Sequence, residues 1–190
     1  YEIPLRLVGS EMCIRDRMGK DGMLYIGNVR FLNGEPVSSG PVEMTSQGAH
    51  INGLDAYKWI SAGYACHIYG GSTRAYVKPV YEKRADISAP VVGISSGTTV
   101  GFRYLQFGNN APKAVRVVLG SHKKLKVNIR IDSYNGRIAA SMDFNENQKE
   151  LETALDFGIV GRHAVYFEFL SDEEGEIAEF DRFSFVSEDE

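Results

Sequence analysis

Four residues of this chain combine the side-chain types that grip a small amphipathic ring. Tyr104 and Tyr166 each offer an apolar face with a polar tip, and Asn128 and Arg130, two positions apart, offer amide and guanidinium donors. Such a set suits a sugar, whose C–H face stacks on an aromatic ring while its hydroxyls take polar side chains. The plainer alternative is that Tyr104 packs in a core and Arg130 is an ordinary solvated residue. Hydrolytic chemistry is not signalled. Cleaving a glycosidic bond takes two carboxylates flanking it, one held protonated by its surroundings. Here the acids gather in a turn-like segment, Asp172, Glu173, Glu174 and Glu176, and in the tail 187–190, where water keeps them ionised. His50, His67, His122 and His163 lack the spacing of a metal site or a triad, and Cys13 and Cys66 lack metal-ligand spacing. Gly19 to Gly22 and Gly70-Gly71 are too sparse for a phosphate loop. No catalytic residue is assigned.

The elements that must position those four residues are short strands. From Leu125 to Asp132, Leu125, Val127, Ile129 and Ile131 alternate with Lys126, Asn128, Arg130 and Asp132, the period of two that marks a half-buried strand. Asn128 and Arg130 therefore lie on its wet face. Similar strands are expected at Val100 to Phe107, Ala114 to Leu119, Gly136 to Met142, Ala164 to Phe169 and Phe180 to Val186, separated by Gly-, Asn- and Ser-rich turns. Asn135-Gly136 is the strongest hairpin signal, since a tight turn there wants positive φ at both central positions. Gln148 to Ala154 has mild helical character, but its place between strands favours a loop or strand. No helix-length apolar period interrupts the series, so the fold class is all-β, an antiparallel β-sandwich of the jelly-roll type.

A length of 190 residues with 43% hydrophobic content suffices for one ordinary domain and a smaller segment. The net charge of −4 offers no broad basic surface for phosphates, which argues against nucleic acid as a partner. The longest apolar runs fall far short of the ~20 residues of a membrane-spanning helix, so no membrane partner is expected either. Residues 1–17, YEIPLRLVGSEMCIRDR, resemble the conceptual translation of a sequencing-library adaptor, Ser10 to Arg17 being the recognisable part. We expect them to be an unstructured artefact preceding a chain cut at its N-terminus. Setting aside Glu2, Glu11 and Asp16 together with Arg6, Arg15 and Arg17 leaves the net charge at −4 and Cys66 as the lone thiol, hence no internal disulfide. Beyond them, Met23 to Phe31 reads as a strand and Asn33 to Pro41 as a loop. Trp59 at the entry to the sandwich reads as a packing anchor, and Tyr134 as a hairpin-tip residue.

Three stretches, Thr98 to Gly108, Gly161 to Phe169 and Phe180 to Phe185, resemble in order and spacing the strands of family 6 carbohydrate-binding modules. Upstream, Val42-Glu43-Met44-Thr45-Ser46-Gln47-Gly48 resembles the closing segment of a glycoside hydrolase family 43 catalytic domain of the arabinofuranosidase and xylosidase type. The resemblance spans Met23 to Val186. It implies a galactose-binding-like jelly roll at 51–187, preceded at 18–50 by the remnant of a catalytic domain and its linker. The chain itself would then be a non-catalytic accessory piece of an enzyme that hydrolyses O-glycosyl bonds. Its implied partners are plant cell-wall oligo- or polysaccharide, xylan or arabinan, and the missing N-terminal catalytic domain, in an extracellular or periplasmic setting.

Two departures qualify what the resemblance implies. The Glu-x-Glu-like strand that helps hold a structural calcium in such modules is here Ile60-Ser61-Ala62-Gly63-Tyr64, which leaves Asp181 as the one acid at a matching position. Calcium needs several oxygen ligands, so no cofactor is expected. The aromatic platforms and asparagine of the usual loop-end cleft fall on Val92 or Gly93, Glu146 and Glu179. That degeneracy favours a module that buttresses the catalytic domain, or else a second cleft on the sheet face at Tyr104, Asn128, Arg130 and Tyr166. A free-standing extracellular sandwich with a protein partner is the competing reading.

Overall fold

A computed structural model describes residues 29–32, 35–38, 54–79, 89–146 and 148–187, and divides the chain into two units, Tyr1–Asn52 and Gly53–Glu190. In the first unit β1 (Val29–Leu32) and β2 (Glu35–Ser38) form an antiparallel pair with Val29 opposite Ser38. The expected strand at Met23 to Phe31 is described only from Val29 onward, its earlier part lying outside the described residues. The expected loop at Asn33 to Pro41 is corrected to a strand over Glu35–Ser38. Pro36 is compatible with it because a strand at a sheet edge can do without one ladder N–H.

The second unit holds twelve short strands: β3 (Leu54–Asp55), β4 (Ile60–Ser61), β5 (His67–Tyr69), β6 (Tyr76–Val77), β7 (Val91–Ile94), β8 (Thr98–Gly108), β9 (Ala114–His122), β10 (Leu125–Ile131), β11 (Ile138–Phe144), β12 (Glu150–Ala154), β13 (Gly161–Leu170) and β14 (Ala178–Val186). They build two six-stranded sheets. One runs β11-β10-β13-β8-β3 with β5 also paired to β8; the other runs β12-β9-β14-β7-β6 with β4 also paired to β14. Among the described strands only β3 and β8 pair parallel. The fold is therefore an antiparallel β-sandwich, as the alternating sequence pattern requires. Every strand expected between Val100 and Val186 is present, most of them longer than expected, and Gln148 to Ala154 contributes β12.

The core between the sheets comes from alternate residues. On β10 Leu125, Val127, Ile129 and Ile131 are buried, facing Val115, Val117 and Leu119 of β9 and the phenylalanines of β14. Phe102 of β8 meets Phe167 of β13 at 5.8 Å and Phe183 of β14 at 4.7 Å between ring centroids, both edge-on, so one aromatic cluster ties the sheets together.

Two local features depart from simple alternation. Along β8 the buried residues Phe102 and Leu105 are three positions apart, and opposite them the register with β13 slips between His163 and Val165. Arg103 and Tyr104 thus share one bulge, and neither enters the core. The second is the turn after β10. Positive φ falls at Asp132 (φ 66°), not at Asn135-Gly136 as a two-residue turn would need. The chain instead makes a wider turn in which Gly136 N–H donates to Ser133 O at 2.9 Å, with Tyr134 and Asn135 at its tip. Gly136 is required by closeness: a Cβ there would sit 2.0 Å from Ile131 O.

Candidate functional site on the outer sheet face

The outward side chains of the β11-β10-β13-β8 sheet form a polar floor. Strand pairing sets Asn128 of β10 between Ser141 of β11 and Glu168 of β13. Ser141 Oγ donates to Asn128 Oδ1 at 2.8 Å, and Asn128 Nδ2 donates to Glu168 Oε2 at 3.0 Å. The same Oε2 accepts from Arg130 Nε at 3.1 Å and Nη2 at 2.8 Å, while Arg130 Nη1 donates to Gly136 O at 3.0 Å. Asn128 is only 7% exposed. The face expected to be wet is thus dry at Asn128, and Asn128 and Arg130 are committed to an internal network that fixes the turn carrying Tyr134.

Tyr166 is likewise part of the floor. It is 1% exposed and lies across Gly101 of β8, where a Cβ would come within 2.6 Å of two ring carbons. Its hydroxyl accepts from Arg103 Nε at 2.8 Å and from Nη2 at 2.5 Å. That hydrogen bond to Tyr166 raises the Arg103 pKa above its ordinary value, against the lowering effect of burial. A buried ring cannot serve as the sugar platform expected of Tyr166; it supports Arg103 instead. Tyr104, carried outward by the bulge, is half-buried under the guanidinium of Arg162, whose Cζ lies 4.5 Å from its ring centroid. Nothing described brings Tyr104 into contact with Asn128 or Arg130.

The exposed aromatic surface comes from residues outside the expected set. His67 of β5 packs edge-on to Tyr166 at 6.0 Å and next to Tyr69 at 5.9 Å. Tyr69 in turn lies 6.4 Å from Tyr134 in the β10–β11 turn, and the two are 63% and 57% exposed. The rings Tyr134, Tyr69, His67 and Tyr166 form a contiguous row that ends at Arg103. Tyr134 carries a signal, an aromatic in a turn, that a hairpin tip explains equally well. Tyr69 sits on a three-residue strand too short to show a period.

The other candidate positions are less equipped. Asp181 is half-buried with Oδ2 3.9 Å from Arg182 Nε, and among the described residues no group of three or more His, Cys, Asp or Glu could hold a metal ion. Of the loop-end cleft positions, Val92 is buried, Gly93 has φ 72°, Glu146 is exposed and Glu179 packs beneath Gly120. A groove of about 560 Å³ is lined by Lys124, Lys126, Asp143, Phe144, Ser171 and Glu173 among others and by none of those positions, and its one aromatic, Phe144, is fully buried. Volume alone therefore does not make it the better sugar site, because no ring faces into it. Trp59 is 44% exposed, stacked against Arg182 at 4.9 Å. The Cys66 thiol donates to Gly101 O at 3.2 Å, and His50 lies outside the described residues.

No protein-family profile matches the sequence, and no curated protein does either. Solved structures do match. A glycoside hydrolase family 43 arabinoxylan arabinofuranohydrolase from Bacillus subtilis, in complex with cellotetraose, superposes with a TM-score of 0.61 at 19% identity over 84% of this chain. This chain spans about a third, 32%, of that protein's length. A family 6 carbohydrate-binding module from Clostridium cellulolyticum in complex with xylose gives 0.57 at 18% identity over 70% of this chain and 99% of its own. A module from Clostridium stercorarium in complex with cellobiose gives 0.57 at 15% identity over 72% and 98%. The sandwich described here has the fold of the family 6 carbohydrate-binding modules, the same modules that its strand motifs resemble.

Proposed function

We propose that this chain is a non-catalytic carbohydrate-binding accessory module that holds cell-wall oligo- or polysaccharide on the outer face of the β11-β10-β13-β8 sheet. The observation that carries this reading is the exposed Tyr69–Tyr134 pair above a hydrogen-bonded polar floor. Two rings at 6.4 Å and 54° offer flat apolar area for sugar C–H faces, and tyrosine tips remain for hydroxyls. The modules of like fold were solved with xylose and with cellobiose, which makes neutral β-linked oligosaccharides the first ligands to try. In this reading the parent is a family 43 type hydrolase of xylan or arabinan, extracellular or periplasmic, and the module raises substrate concentration near its catalytic domain.

Calorimetric titration of the 190-residue chain with xylo-, arabino- and cello-oligosaccharides tests it. Saturable heat at millimolar or tighter affinity is expected. Tyr134→Ala should weaken it roughly five- to tenfold, the worth of one aromatic contact of about 1 kcal/mol, with unchanged thermal stability. A folded chain that takes none of these sugars would refute the binding role and leave buttressing of a catalytic domain, or a protein partner, as the function.

A further inference from the structure

Arg103 is the one residue of the aromatic row whose charge the fold does not use. Its side chain is exposed, and it makes no ion pair with any carboxylate among the described residues. Glu168 of β13 and Asp132 after β10 already have partners of their own. Glu168 is held by Arg130 at 2.8 Å, and Asp132, whose N–H donates to the Ala164 carbonyl opposite the Arg103 bulge, faces His163 Nδ1 at 2.9 Å. Tyr166 fixes the Nε and Nη2 side of the guanidinium, which leaves the edge formed by Nη1 and the second N–H of Nη2 pointing away from that hydroxyl. That edge has the spacing of a carboxylate and binds one through two parallel hydrogen bonds.

We propose, building on the sugar-binding reading above, that this face selects an acidic glycan: neutral residues stack on Tyr69 and Tyr134, and a uronic acid residue places its carboxylate on the free edge of Arg103. A carboxylate is favoured over a neutral hydroxyl because the guanidinium is held in place by a phenol, a partner that orients it without cancelling its charge. The row of rings between the two ends makes the ligand an oligosaccharide rather than a single acidic sugar.

The test uses three ligands on the unaltered 190-residue chain: a xylo-oligosaccharide carrying a glucuronic acid branch, the same compound with its carboxyl reduced to the alcohol, and the unbranched backbone. We expect the acidic compound to bind about five- to tenfold more tightly than its reduced form at low salt, the range of an exposed but oriented charge-assisted pair, with the advantage shrinking as salt rises. Arg103→Gln should abolish that advantage while keeping affinity for the unbranched backbone, and Arg103→Lys, a point charge without the fork, should restore only part of it. Equal affinity for the acidic and reduced forms, with backbone binding intact, overturns this inference and leaves the sugar-binding reading standing. An acid preference that survives Arg103→Gln overturns it too, since the charge would then be read elsewhere. Binding of none of the three by the folded chain overturns both.

Discussion

Replacing Glu168 by Ala removes one acceptor oxygen that serves three donors at 2.8, 3.0 and 3.1 Å. Two of them belong to Arg130, whose side chain is 21% exposed, against 22% for Glu168. A fully buried pair broken on one side costs ~3–5 kcal/mol and an exposed one at most ~1. At one-fifth exposure Arg130 can rehydrate in part, and it keeps its bond to Gly136 O. Asn128, nearly buried, loses its one described acceptor, which adds ~1 kcal/mol of stranded donor. Together these give a loss of about 2–3 kcal/mol for Glu168→Ala, with a coupling of about 1–2 kcal/mol to Arg130→Ala in a double-mutant cycle. Urea unfolding followed by fluorescence of Trp59, the chain's sole tryptophan, reports the sandwich directly, and the midpoint should shift at constant slope. Glu168→Gln keeps one acceptor oxygen and should fall about halfway. A loss under ~0.5 kcal/mol for Glu168→Ala, or additive single mutants, would refute the claim that this network braces the sheet face.

Gly101→Ala places a methyl group 2.6 Å from two carbons of the buried Tyr166 ring and 3.2 Å from His67 Cβ, so the ring must move and the Arg103 bonds with it. A stability loss of about 1–3 kcal/mol in chemical denaturation is expected, and a neutral result would mean that Tyr166 is not wedged against β8. Tyr57 donates its hydroxyl to Phe107 O at 3.1 Å and to Asn110 O, and burial, with a contribution from Asp55, raises its pKa. The native state therefore keeps this proton to higher pH than the unfolded chain. Its contribution is whole below about pH 10 and is lost as pH climbs through the raised native value. Tyr57→Phe should cost about 1 kcal/mol at neutral pH and flatten the alkaline decline; a steeper decline in the variant contradicts the assignment.

Alternation carries sequence reading a long way in a sandwich, because each strand between the sheets must put every second side chain into the core. It placed Leu125, Val127, Ile129 and Ile131 inward and Asn128 and Arg130 outward, as found. It could not say what covers the outward side. Tyr166 and Glu168 share a face with Asn128 only through the cross-strand register, a pairing with residues some forty positions away. Tyr104 shows the other limit. Strict alternation from Val100 and Phe102 carries it into the core, but the bulge puts two consecutive residues outside, and nothing in Phe102-Arg103-Tyr104-Leu105 announces the extra one. Asn135-Gly136 was a sound turn signal with the wrong geometry, since its glycine answers a close backbone approach rather than a positive φ. The short strands β3 and β5, of two and three residues, carry no period at all, and with β5 the sequence hid Tyr69.

The floor of this face is built without a ligand and meets the rim through the Arg103–Tyr166 hydrogen bonds, which has a consequence for binding. Asn128, Arg130 and Glu168 satisfy one another without a ligand, and the buried Tyr166 ring is tied to Arg103. They are ordered before any sugar arrives, so binding does not have to immobilise them. Tyr69, Tyr134 and Arg103 stand on that floor and are exposed. Substitutions at Tyr69 or Tyr134 should therefore move affinity for every sugar ligand with little effect on unfolding, and Arg103→Gln affinity for the acidic one alone, while substitutions in the floor should move both stability and affinity, because they release the turn holding Tyr134 and the ring holding Arg103. A floor variant that loses stability yet keeps full affinity for sugar would break this link and detach the sheet face from carbohydrate recognition.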